Sequence, residues 1–172
     1  MILKAFKEKS NQKYVNKLLS ARKAAVNNNK VKVIAVLLNA NEFEDFEVFR
    51  NYFKALNLTS PKHKIVAFTK DDKYEGSQWE TYFSPKHFGW KGKINNIDLQ
   101  AFIDEPYDVL VSYYKNETPE LDLITAASKA NLKVGLSRKD ERLYDLIIDV
   151  NPKDIKTFKT ELKKYLNILN KL

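Results

Sequence analysis

The chain has 172 residues, with 30 Lys/Arg against 22 Asp/Glu and a net charge of +8. It has no cysteine, which excludes disulfides, thiolate catalysis and cysteine metal sites, and its two histidines, His63 and His87, are too few for a histidine-rich metal centre. No apolar run approaches the ~20 residues of a membrane helix, so integral membrane insertion is not expected.

Residues 2–26 read as a basic amphipathic helix. Ile2, Leu3, Phe6, Tyr14, Val15, Leu18, Leu19 and Val26 recur at helical spacing, and "NNNK" (27–30) supplies turn-forming asparagines as a stop. The start, "MILKAFKEKS", carries lysines where a signal peptide has a continuous apolar region, so a cytoplasmic protein is expected. Residues 1–41 contain nine Lys/Arg and a single acid, Glu8, while the remainder is balanced. All of the excess charge therefore lies in the N-terminal quarter. This asymmetry predicts a polyanionic partner, RNA, DNA, the ribosome or an anionic membrane surface, contacted by Lys4, Lys7, Lys13, Lys17, Arg22 and Lys23. A merely solvated lysine-rich helix has the same composition, and a membrane-surface helix led by Ile2, Leu3 and Phe6 is a further alternative.

From residue 31 the pattern changes. "VKVIAVLLN" (31–39) is a nearly continuous β-branched and apolar run, as in a strand buried on both faces. Residues 41–56 predict a helix with Phe46, Phe49, Phe53 and Leu56 on one face; Glu42, Glu44, Asp45 and Glu47 near its start complement the helix dipole. "KIVAFT" (64–69) is a second strand. "IDLQAFIDE" (97–105) predicts a short helix stopped by Pro106, and "YDVLVSYY" (107–114) a third strand. In "TPELDLITAASKAN", Thr118 suits the cap, Pro119 the first helical turn and Asn131 the stop. Strands at 132–137 and 144–150 follow, then a closing helix with Asn151 and Pro152 as its start signal and Ile155, Phe158, Leu162, Tyr165, Leu166 and Leu169 on one face.

These elements predict an α/β fold: a three-layer, Rossmann/flavodoxin-like arrangement with a mainly parallel five-stranded sheet and helices on both faces. An N-terminal helix (1–30) precedes a single α/β domain (31–172). The eight-residue connection 137–144 is short for a parallel crossover. It calls for a single helical turn or an irregular edge strand.

The alternation breaks between about 70 and 96. There "YFSPKHFGWKGKINNI" (82–97) concentrates rings, lysines and glycines. Lys86, His87, Trp90 and Lys91 form a candidate aromatic and basic contact, since rings that stack on bases and lysines that follow phosphates are the single-strand binding pattern. The competing reading is an irregular β insert whose Phe83, Phe88 and Trp90 pack under the sheet edge.

Ligands of open α/β sheets sit beyond the carboxyl ends of the strands. That rule nominates Asn39, Lys70, Asp71, Lys115, Asn116, Ser137 and Arg138 for a pocket, as in a small enzyme or a nucleotide- or sugar-phosphate-binding protein. The first strand–helix turn, "LLNANEFED", has no glycine and several acids, which argues against a dinucleotide or Walker phosphate loop. No catalytic residue, metal ligand or cofactor is assigned. Asp71 and Asp72 read as a solvated turn, His63 as a surface residue, and His87 has no carboxylate orienter near it in sequence.

The segments "SPKHFGWKGKI", "YDVLVSYY", "ASKANLKVGL" and "YDLIIDV" resemble an uncharacterised bacterial family of small single-domain α/β proteins of unknown function, over nearly the whole chain. Residues 107–136 are also generically similar to the Rossmann-like half of glycosyltransferases, but the glycine-rich donor loop and second domain of those enzymes are missing. The expected function is a non-catalytic cytoplasmic module that binds RNA or the ribosome, or serves as a subunit of a larger assembly.

Overall fold

The computed structural model describes residues 1–59, 62–74, 76 and 80–172. Pro61, ahead of His63, and part of the interruption at 70–96 (75 and 77–79) lie outside the described residues. The elements run α1 (Ile2–Ala21), β1 (Ile34–Asn39), α2 (Phe46–Ala55), β2 (His63–Phe68), β3 (Thr81–Phe83), α3 (Ile97–Asp104), β4 (Val109–Tyr113), α4 (Pro119–Ala127), β5 (Leu132–Gly135), β6 (Leu146–Ile147) and α5 (Ile155–Ile168).

All strands are parallel and lie in the order β3-β2-β1-β4-β5-β6. This is the doubly wound Rossmann order. The sheet has six strands where five were expected, because the interruption itself contributes the edge strand β3, pairing Val66 with Thr81 and Phe68 with Phe83. Three residues between turns give too weak a periodic signal to read as a strand. At the other edge β6 is only two residues long, and a 3₁₀ turn at Glu141–Leu143 makes the short crossover to it.

Side chains alternate across β1. Ala35 and Leu37 join a core with α1, α3 and α4; Ile34, Val36 and Leu38 join a second core with α2 and α5. On the second face Phe49, Tyr113 and Phe158 pack edge to face, with ring centroids 4.8 to 6.4 Å apart. Each buried ring stabilises by roughly 1.5–3 kcal/mol before entropy is counted.

Helix α1 is shorter than expected. It ends at Ala21 and not at 26, and Val26 is exposed. The asparagines of 27–29 act as docking groups for the extended segment that follows: Asn131 binds Ala25 and Asn27, and the buried Lys171 Nζ donates to the carbonyls of Asn27 (2.9 Å) and Asn29 (3.3 Å). Asn131 thus serves this segment, whereas α4 stops earlier, at Ser128. Its last carbonyls, Thr125 and Ala126, accept from the buried Lys133 Nζ, a cation placed where the helix dipole favours one. The cap of α5 is Asp154, which accepts from Thr157, three residues beyond the expected cap Asn151. His63 is half-buried against Phe53, with Nδ1 2.8 Å from the Leu58 carbonyl, and is not a free surface residue.

The stretch 88–94 folds as a small hairpin. Phe88 bridges Ile94 antiparallel, and Lys91 and Gly92 both take positive φ (54° and 78°) in the turn closed by Lys93 N–H to the Trp90 carbonyl at 3.0 Å. This is a type I′ arrangement, which suits the twist of paired strands. Helix α1 lies on this turn. A Cβ at Gly92 would fall 2.1 Å from the Tyr14 ring, so only glycine satisfies both the φ and the contact. Gly92→Ala should therefore cost on the order of 1–3 kcal/mol in urea denaturation, and Tyr14→Ala in the same chain should relieve the steric part but not the backbone part. An equal cost of Gly92→Ala with and without Tyr14 would show that α1 does not dock here.

Candidate functional site

The expected pocket residues separate into three places. The sheet order reverses between β1 and β4, where a crevice normally receives a ligand. Here a cavity of about 300 Å³ remains, but Glu42 takes its donors: the carboxylate accepts from the backbone N–H of Lys115 (2.8 Å) and Asn116 (3.0 Å) and from Asn39 Nδ2 (2.9 Å). A side-chain anion thus occupies the donors that a phosphate would use, and Asn39 is buried behind it. Of the acids expected to serve the start of α2, only Asp45 caps it, accepting from Val48; Glu44 accepts from the Tyr74 and Tyr82 hydroxyls.

Lys115, Asn116 and Ser137 meet around a polar cavity of about 300 Å³ beyond β4 and β5, with Tyr114, Asp122 and Tyr144. The Tyr114 hydroxyl donates to Asp122 at 2.8 Å and lies 3.2 Å from Thr125, which is 2.8 Å from Ser112. Burial raises the Asp122 carboxyl from 3.8 to about 6, against the Tyr114 hydrogen bond that lowers it. Arg138 stays outside, held by Asp149 and Glu141. Asp71 forms the expected turn, accepting from Lys73.

The remaining candidates converge elsewhere. A groove of about 510 Å³ runs between the first half of α1, the 85–90 stretch and the start of α4. Lys4 and Lys7 from α1, Lys86 and Trp90 from the insert, and Lys70 from the end of β2 all line it. Three groups of residues far apart in sequence thus share one surface. Leu3, Pro85, Phe88, Pro119 and Leu123 form its apolar lining, and Glu8, Asp72 and Glu120 also face it. Phe83 and Phe88 are buried as expected, but Trp90 is 47 % exposed. It stands at the hairpin turn, beyond the sheet edge, and among the described residues no helix or strand covers its exposed half.

The walls are held in place by polar contacts. Asn11 donates to the Gly89 carbonyl (3.0 Å) and accepts from Gly92 N–H (2.9 Å); Ser10 accepts from Lys91 N–H (3.1 Å), and Lys7 donates to the Phe88 carbonyl (3.3 Å). Lys86 is tied to Asp72 through both its N–H and its Nζ. His87 closes the turn before the hairpin, its Nδ1 accepting from Ser84 N–H at 3.1 Å. Burial, with Lys86 adding to it, lowers the His87 pKa, so the ring is neutral near pH 7.

A second surface lies on the outer side of α1. Ile2, Phe6, Lys9, Lys13 and Lys17 follow one another at helical steps of three and four, opposite Val15 and Leu19, which enter the core. Lys9, which was not among the expected contact residues, shares this stripe with Lys13 and Lys17. Ile2 (74 %), Leu3 (73 %) and Phe6 (58 %) are exposed. Among the described residues, no α1 lysine has a salt bridge, whereas Arg22 is committed to Asp145 at 2.6 Å. Lys23 is exposed just beyond the helix.

Asp122 offers a test of the polar cavity. Its folded pKa is raised, so between pH about 4 and 6 the folded chain holds a proton that the unfolded chain has released. Its contribution is complete below pH 4 and is lost as pH rises through 6. Asp122→Asn should gain on the parent chain by on the order of 2 kcal/mol between pH 4 and pH 7 in urea denaturation; parallel pH profiles would show a solvated carboxylate.

Among the described residues no helix is long and apolar enough to cross a membrane, and no cluster of potential metal ligands occurs. No curated protein and no solved structure matches the chain, glycosyltransferases included. Residues 7–169 match a family of unknown function, DUF6913, and the chain belongs to that family.

Proposed function

We propose that this chain is a non-catalytic binding module for RNA, alone or within a ribosome-like assembly, and that α1 is its contact element. The observation that carries the reading is the charge balance of α1: it has five lysines against one acid, Glu8, and among the described residues these lysines point outward or into the groove with no salt bridge. Isolated surface lysines are strongly hydrated and gain little from one another. They gain by displacing counterions from a polyanion.

Helix α1 is part of the core through Val15 and Leu19, so removing it would unfold the chain as well as discharge it. Replacing Lys9, Lys13 and Lys17 by Gln is the cleaner experiment, because all three are exposed. Affinity for RNA should fall and the slope of log K against log salt should flatten by about one for each lysine that met a phosphate. Unchanged affinity and slope would remove α1 from the interface.

A second reading is supported by Ile2, Leu3 and Phe6, which lie exposed beside the same lysines. A short apolar wedge with a basic flank suits the surface of an anionic bilayer. Flotation with phosphatidylserine vesicles, lost in Phe6→Ser, would favour that reading over RNA.

A further inference from the structure

We propose that the groove between α1, the 88–94 hairpin and α4 holds an unpaired nucleobase stacked on Trp90, which makes the chain a single-strand binder. This inference rests on the RNA reading above and specifies its ligand. An exposed tryptophan at the tip of a rigid turn is a costly surface feature, because roughly half of a large ring is left in water. The turn is not free to bury it. Asn11 fixes the hairpin through Gly89 and Gly92, Ser10 holds Lys91 N–H, and Tyr14 packs against Gly92. The ring is thus presented, with its orientation set by a helix that is itself anchored in the core.

The chemistry around the ring selects the occupant. Lys4, Lys7, Lys70 and Lys86 surround the groove, and Phe88 and Leu123 give it an apolar floor. Its volume of about 510 Å³ lies within the range of small-ligand sites and exceeds what one base needs. Glu8, Asp72 and Glu120 also line it, Asp72 being tied to Lys86. An anionic bilayer or an uninterrupted phosphate chain would be repelled by these carboxylates. A nucleobase would not: its exocyclic amino group donates to a carboxylate, its face stacks on an indole, and its flanking phosphates reach the lysines. Paired bases in a duplex have their faces covered and cannot enter. The site therefore discriminates by strand state, and its sequence preference is for bases that carry an amino group.

The test uses the full chain carrying Trp79→Phe, so that Trp90 is the sole indole. It is titrated with oligo(A), oligo(U) and an RNA duplex at low salt, following tryptophan emission and binding by anisotropy. The inference predicts quenching by single strands, tighter binding of oligo(A) than oligo(U), and a loss of roughly tenfold or more in single-strand affinity for Trp90→Ala. Trp90→Phe should restore part of that affinity, while duplex affinity stays unchanged in both variants. Because Trp90 is exposed, urea midpoints should be unaltered and will report any failure to fold. If the lysine-to-glutamine chain loses RNA affinity but Trp90→Ala does not, the groove inference is overturned and the RNA reading stands. If neither oligonucleotides nor duplex bind, both are overturned. Emission changes seen only with phosphatidylserine vesicles would assign the surface to membrane and overturn both.

Discussion

Asn11 carries the contact on which the surface architecture depends. One side-chain amide donates to Gly89 and accepts from Gly92, and so couples a helix near the N-terminus to a hairpin 78 to 81 residues later. Each such hydrogen bond adds only about 1 kcal/mol, but the two define a single register. Val15 and Leu19 supply the apolar part of the docking, by roughly 1.5–3 kcal/mol each. Together they hold Lys91 in a left-handed conformation that a lysine adopts at a cost of about 1 kcal/mol. Without this docking there would be no groove, Trp90 would have no fixed orientation, and the outer lysines of α1 would not face away from the body.

The Rossmann strand order does not bring a Rossmann ligand site with it. The crevice at the order reversal is built, and its two backbone N–H donors are aimed outward in the usual way, but Glu42 already satisfies them. A carboxylate on the adjoining loop acts as an internal substitute for phosphate. Fold and function separate here for a physical reason: the donors at a switch point are set by topology, whereas what fills them is set by one side chain. A larger groove lies on the α1 side of the molecule, next to the end of β2.

The fold was legible in the sequence where signals were local and long. Buried β-branched runs marked β1, β2 and β4, and the phenylalanine spacing marked α2. At the edges the signal was partial: β6 was legible within the apolar run 144–150, though only Leu146–Ile147 pair, whereas β3 lay unmarked inside the expected β insert, because three residues have no measurable period. The end of α1 was misplaced because "NNNK" carries a turn signal, yet those asparagines are read by Asn131 and Lys171 across the fold. Part of the candidate site was legible as composition. Lysines in α1 and a ring–lysine mixture at 86–91 stood out as two separate features.

By itself, the sequence determined the layers: which residues are buried, which segments twist into strands, and where the positive charge is concentrated, because each depends on residues within a few positions of one another. Only the tertiary structure decided that Lys4, Lys7, Lys70, Lys86 and Trp90 face one groove, that Glu42 takes the backbone donors of another, and that "HFGWKGK" is the seat of a helix with its tryptophan half in water. Those facts depend on contacts across some eighty residues. Chain direction through the sheet sets such distances, and local pattern does not encode them.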